Sequence, residues 1–242
     1  MYHECAWTPE QVQRFWDGYA SHAGRENTYF SKMHGRAILA LASKHVRIAD
    51  PVIDVGCGNG ALLDALLARG FSCTGIDSSE ISVRNVIERL QAQRGFRGAL
   101  TGSVDRLPLA DGQAGTALLV EVIEHLDGPT LERALAELHR VVRAGGFLIV
   151  TVPNQEDLPA AMVACPECGC RFHRMQHLRS LSPQSLTAML RAAHFEVVKT
   201  VETDFGNWGA EGLKGIVARA RRILDRWRQP VMPHLMAIAR RG

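Results

Sequence analysis

Three groups of residues have side-chain types and spacings that could do chemistry. Cys165-Pro166-Glu167-Cys168-Gly169-Cys170 is followed by His173 and His177. A C-x2-C turn with a glycine after it is a zinc-knuckle form, and histidines four residues apart share a face if their stretch is helical. Cys165, Cys168, His173 and His177 are therefore the expected tetrahedral zinc set. Cys170 competes but ranks below His173, because alternation with Cys168 turns it away. Four protein ligands leave no open position, so this zinc is expected to be structural, fixing a lid that aims Arg171, Arg174 or His177 at a substrate. The second group, Glu121-Val122-Ile123-Glu124-His125, sets two carboxylates beside an imidazole, and a neutral His125 could take a proton from a substrate hydroxyl. The third is Asp54-Val55-Gly56-Cys57-Gly58-Asn59-Gly60 with Asp77 downstream. Alternate glycines let backbone approach a ligand ahead of a helix N-terminus with free N–H groups, and an acid at Asp77 is placed to accept both ribose hydroxyls of an adenosine cofactor.

These groups need a scaffold, and the hydrophobic pattern supplies one. Val52–Val55 reads as a short buried strand, and Leu62, Leu63, Leu66 and Leu67 start a helical period ending at Gly70. Further strands are expected near 72–76, 98–101, 116–121, 146–152, 195–201 and 233–239, with helices near 60–69, 79–93, 129–143 and 183–193. Ahead of them, Thr8-Pro9-Glu10-Gln11 is a helix start followed by Val12, Phe15, Trp16 and Tyr19 at helical spacing, and a second helix is expected over about Phe30 to Lys44. Ser182-Pro183 starts another. Strand–helix alternation implies a parallel sheet covered on both faces, with ligands outside the carboxyl ends of its strands. Residues 210–228 form an amphipathic pattern. Leu213, Ile216, Val217, Ile223, Leu224 and Trp227 lie on one side, with Arg219, Arg221, Arg222 and Arg226 on the other. Packing on the domain or on a second subunit is the expected use, and contact with a membrane surface is the alternative.

The 242 residues suffice for one sizeable α/β domain with a small elaboration. Hydrophobic residues make up 46% and charged residues 22%, an ordinary globular balance, and a net charge of +3 is too small to imply nucleic acid. No apolar run is long enough to span a bilayer and no signal-peptide core is evident, so a cytoplasmic location is expected. Bunched cysteines then suggest metal rather than disulfides.

The glycine pattern is G-x-G-x-G after Asp54, not the G-x-G-x-x-G of dinucleotide-binding units. It resembles motif I of the class I S-adenosylmethionine-dependent methyltransferases, with Asp77 ending the second strand as in that family. The resemblance runs on through Gly102-Ser103-Val104-Asp105-Arg106-Leu107-Pro108, Glu121–Leu126 and Leu138–Gly146, covering roughly residues 35 to 205. It implies a Rossmann-like α/β fold with a seven-stranded, mostly parallel sheet, the last strand antiparallel, helices on both faces and the small knuckle-like insert. The implied cofactor residues are Asp54, Gly56, Cys57, Gly58, Gly60, Asp77, Ser78, Ser103, Val104 and Glu121, with His125 and His177 as catalytic candidates. Arg36 could pair with the methionine carboxylate or simply face solvent. Ser103 stands where relatives often carry an Asp toward the adenine, so that contact passes to the Val104 N–H and Asp105. Ala114-Gly115 replaces the usual Phe-Asp.

Glu121–Leu126 is similar both to ubiquinone-biosynthesis O-methyltransferases and to small-RNA 2′-O-methyltransferases. In the RNA enzymes, two carboxylates and two histidines bind a divalent metal that polarises ribose hydroxyls. Here the corresponding set is Glu121, Glu124, His125 and His177. Arg179 and Asn154 could bind substrate or serve only their loops. The layout expected is one methyltransferase domain over 1–242. N-terminal helices occupy 1–48, a cofactor-binding core 49–153, a Cys/His insert 154–182 and the C-terminal part of the sheet 183–242. Methylation of a small-molecule or saccharide-type acceptor at oxygen is the favoured reading, and a homodimer is a possible assembly. A metal-dependent RNA methyltransferase and a catalytically silent partner subunit are the alternatives.

Overall fold

The computed structural model describes residues 2–22, 24, 28–207 and 232–242. The amphipathic stretch 210–228 lies outside the described residues, so neither its helical form nor its membrane contact enters the structure. Ten strands and six α-helices follow in order among the described residues. They are β1 (His3–Glu4), α1 (Pro9–Ser21), α2 (Phe30–Ala42), β2 (Val52–Val55), α3 (Ala61–Leu67), β3 (Cys73–Asp77), α4 (Glu80–Leu90) and β4 (Phe96–Thr101). Then come β5 (Ala114–Val120), α5 (Gly128–Val141), β6 (Val142–Pro153), β7 (Met162–Ala164), β8 (Cys170–His173), α6 (Pro183–Ala192), β9 (Phe195–Thr203) and β10 (His234–Arg241).

Seven strands form the central sheet in the order β4-β3-β2-β5-β6-β10-β9. Neighbours pair in parallel from β4 to β6, while β10 runs antiparallel to both β6 and β9. This is the Rossmann-like arrangement expected. The order reverses between β2 and β5, which opens a crevice at their carboxyl ends.

Alternation of side chains across the sheet builds two cores. Leu118 and Val120 of β5 join one with Leu62, Leu63 and Leu66 of α3, and Ala117 and Leu119 join the other with Leu131, Leu135 and Leu138 of α5. Each fully buried leucine contributes about 1.5–3 kcal/mol. The β5 strand starts at Ala114 despite the missing Phe-Asp, because Gly115 lets it pack tightly: a Cβ there would lie 2.4 Å from the Asp50 carbonyl oxygen. It also stops before Glu121, which turns left-handed at φ 53 rather than ending the strand as expected.

Local signals placed the helix starts. Thr8 and Gln11 form a reciprocal capping box with Pro9 at the first helical position of α1, and Ser182 caps α6 through Ser185. A second, small sheet has the order β1-β8-β7 and unites the chain start with the Cys/His insert. No helix among the described residues is long and apolar enough to cross a membrane.

Candidate active site

The crevice is lined by the turns that leave β2, β3, β4 and β5, and α1 crosses above it. Gln13 Nε2 donates to the Ser78 carbonyl at 3.2 Å, and Ser79 Oγ donates to Asp17 at 2.6 Å, tying α1 to the β3–α4 turn.

One half of the crevice is made by backbone. Gly58, at φ 50, donates its N–H to Asp77 Oδ2 at 2.8 Å, and Ser79 N–H donates to Asp77 Oδ1 at 2.9 Å. Each carboxylate oxygen keeps a lone pair for a further donor. Burial raises the Asp77 carboxyl, and the two N–H groups oppose that shift. Asp54 is 2% exposed and its Oδ2 has no partner. Burial, then the nearby Asp77 charge, pushes it up to about 8. The Tyr29 ring lies against Gly58, where a Cβ would come within 2.6 Å of it. A cleft of about 410 Å³ beside Asp77 is lined by Gln13, Asp17, Ser78 and Thr101 among others. A larger one, about 880 Å³, lies among residues 43–50 with Phe71 and Arg143. It touches the start of the strands, away from the carboxyl ends where such sheets bind ligands.

Those features fit an adenosine cofactor with a charged tail. The glycine turn has no side chain to block approach, Asp77 can accept hydroxyls, and Asp54 is a buried carboxyl lacking a partner. Cys57 contributes through backbone alone. Its thiol turns inward against Gly75, and burial holds it well above the ordinary thiol range. Gly56 and Gly60 both take positive φ in the turn. Ser103 Oγ donates to Asp105 Oδ1 at 2.5 Å, and Arg133 binds the other Asp105 oxygen, so Asp105 is engaged in its own turn beside Val104. Arg36 is exposed, the solvent-facing alternative of the sequence reading.

The other half is made by side chains. Glu121 accepts from Thr151 Oγ1 at 2.9 Å, and burial, opposed by that bond, pushes it up to about 8. Glu124 is 1% exposed with neither carboxylate oxygen partnered, and burial, then Glu121, raises it far above the carboxylate range. His125 Nδ1 lies 3.4 Å from the Gln176 carbonyl oxygen. His125 Nε2 is 4.0 Å from Glu124 Oε1. Burial, then His177, pushes the imidazole down to about 3, so His125 is neutral.

His177 Nδ1 meets Glu156 Oε2 at 2.5 Å. The His125 and His177 rings are 4.8 Å apart, and the Trp16 ring edge meets His125 at 4.9 Å. A fully buried Gln176 locks the group. Its Oε1 accepts from Trp16 Nε1 at 3.1 Å, and its Nε2 donates to the His125 carbonyl at 3.0 Å.

The expected knuckle set does not assemble. His173 ends β8, and the chain then turns through Gln176 at φ 61, so no helical turn joins the two histidines. His173 Nδ1 instead accepts the N–H groups of Met175 and His177, at 3.3 and 3.2 Å, which spends its lone pair and puts the proton on Nε2 facing Glu156 at 3.3 Å. A ring in that tautomer offers a metal nothing. Close groups of candidate ligands among the described residues are Glu124, His125 and His177, and Glu156, His173 and His177. Neither contains Cys165 or Cys168.

Arg179 donates to the Leu126 carbonyl and Asn154 donates to Glu202 and to the Met232 carbonyl, so both serve their loops. Glu156, Gln176 and Tyr29 went unread in the sequence. They belong to no motif, and only a long-range contact gives each its place.

Residues 53–150 match the methyltransferase domain family. A probable S-adenosylmethionine-dependent methyltransferase of Mycolicibacterium smegmatis is 28% identical over 77% of this chain and 66% of its own length. The ubiquinone biosynthesis O-methyltransferase of Thiobacillus denitrificans is 27% identical over 63% of each chain. The chain thus spans just under two thirds of these relatives. Among solved structures, the 1,6-didemethyltoxoflavin-N1-methyltransferase of Burkholderia thailandensis, with S-adenosylhomocysteine bound, matches with a TM-score of 0.67 at 19% identity. That match covers 100% of this chain and 93% of that one, and it speaks for the fold.

Proposed function

We propose that the protein transfers a methyl group from S-adenosylmethionine to a hydroxyl oxygen of a small-molecule or saccharide-type acceptor. The observation that carries this reading is His177, with Nδ1 on the Glu156 carboxylate and its ring 4.8 Å from that of His125. A carboxylate behind an imidazole fixes its tautomer and supports the positive charge it gains on taking a proton. When bound, S-adenosylmethionine supplies a methyl group already activated on a sulfonium. The chain's own work is then positioning and proton removal. Asp77 accepts the ribose hydroxyls, buried Asp54 faces the charged tail, and Trp16 and Gln176 close α1 over the acceptor side. The O-methyltransferase among the relatives supports oxygen as the acceptor atom. Screening phenols, sugars and nucleosides by S-adenosylhomocysteine release, with mass spectrometry of the product, tests it. Methyl found only on nitrogen or carbon would refute it.

Glu124 favours a second reading. A buried carboxylate without a partner is costly, and a divalent cation held by Glu124, His125 and His177 would relieve that cost. Three protein ligands would leave open positions on such a cation, which would supply Lewis-acid polarisation of a vicinal diol such as a terminal ribose. Activity that vanishes with chelator and returns with added divalent metal supports this version, and chelator-insensitive turnover rejects it.

A further inference from the structure

The three-stranded sheet of β1, β8 and β7 has almost nothing to hold it. Its strands are two, four and three residues long, both residues of β1 are exposed, and His173 is the one buried side chain in its strands. Two-residue pairings of this kind do not persist by hydrogen bonding alone, and small sheets usually carry a staple. Four of the six cysteines of the chain lie here.

The backbone draws them together. The β1 strand lies parallel to β8 with His3 opposite Cys170, and Cys5 N–H donates to the Arg171 carbonyl at 2.9 Å. Across the other edge, Cys165 N–H donates to the Cys170 carbonyl at 2.8 Å. Gly169, at φ 74, closes the knuckle with its N–H on the Cys165 carbonyl at 2.9 Å. Cys165 and Cys170 thus close the turn between β7 and β8 with Cys168 inside it, and Cys5 directly follows β1 on the other side of β8.

We propose that Cys5, Cys165, Cys168 and Cys170 bind one zinc ion in a structural tetrathiolate site that staples the start of the chain to the insert. Four soft donors suit zinc in a closed tetrahedron. No three of the four sulfurs lie within 4.8 Å of one another, and bonds of about 2.3 Å to a shared ion would draw them together. The histidines face elsewhere: His173 has spent its Nδ1 lone pair on backbone N–H groups, and His177 sits between Glu156 and His125 on the acceptor side. The staple has a purpose in the fold. It anchors Cys5 two residues before Trp7, whose ring meets Phe172 of β8 and Phe15 of α1 at 5.9 and 5.7 Å. It thereby sets the angle at which α1 delivers Trp16 to the crevice.

The test uses the full-length protein purified without chelator under reducing conditions, with its zinc then exchanged for cobalt. Sulfur-to-cobalt charge transfer reports thiolate ligands only, so metal at the acceptor cluster does not contribute. Four thiolates are expected, with about a quarter of the intensity lost in Cys5→Ser and in Cys170→Ser, and none lost in His173→Ala. The unmutated protein alone counts the thiolates if a variant fails to fold. A two-thiolate spectrum, metal content undiminished in Cys5→Ser, bound iron in place of zinc, or a Cys5–Cys170 disulfide without metal would each overturn the assignment.

Discussion

Gly58 and Asp77 are 19 residues apart in the chain, and a backbone N–H joins them. Trp16 and Gln176 are 160 apart, and two side chains join them. The cofactor half of the crevice is thus made within one β-α-β unit, from conformations that glycine permits. The acceptor half is made by bringing α1, the turn after β5 and the insert to a common point. Backbone-built sites tolerate change in the side chains around them. A side-chain-built site changes whenever one of its distant contributors does. A single fold can therefore keep one cofactor and vary its acceptor.

Variants that strike one half and spare the other break or sharpen this contrast. The largest effect is expected from His177→Ala, which removes the imidazole held by Glu156. Turnover should fall by about 10²–10⁴-fold, the usual worth of a positioned general base, as read by S-adenosylhomocysteine release. Next is Asp77→Ala. Hydrogen bonds to a charged group contribute about 1.5–3 kcal/mol each, so affinity for S-adenosylmethionine should weaken at least about tenfold by calorimetry. Gln176→Ala leaves the Trp16 Nε1–H and the His125 carbonyl without their partner. A cost of about 1–3 kcal/mol in unfolding free energy is expected from denaturant titration.

A pH dependence concerns Asp54. Its folded-state pKa of about 8 lies above the ordinary carboxylate value, so the folded chain keeps a proton that the unfolded chain releases. Stability without cofactor should be full at acid pH and fall as pH rises from the ordinary carboxylate range toward about 8. Asp54→Asn should flatten that slope in urea midpoints compared across the same range.

The same contrast explains what the sequence revealed. Thr8-Pro9 and Ser182-Pro183 act locally, and both helices start there. The run from Asp54 to Asp77 encodes its turn within itself, and the structure forms it. His125 and His177 were legible as chemistry and do meet, but Glu156, which orients His177, has no motif around it. The knuckle failed for a related reason. Spacing suggested a helical turn between His173 and His177, whereas β8 pairs with β1, a strand of two residues too short to show in any hydrophobic pattern. That pairing brings Cys5 to the other cysteines, and no reading of residues 165–177 alone could find it.

The central claim is that one crevice holds S-adenosylmethionine through a half that is separate from its acceptor chemistry. Calorimetric titration of S-adenosylhomocysteine into the unmutated protein, Asp77→Ala and His125→Ala/His177→Ala tests it most directly. The account predicts equal affinity for the unmutated protein and the double histidine variant, within about twofold, and weaker binding by Asp77→Ala. No binding to the unmutated protein, or a loss in the histidine variant as large as that in Asp77→Ala, would contradict it.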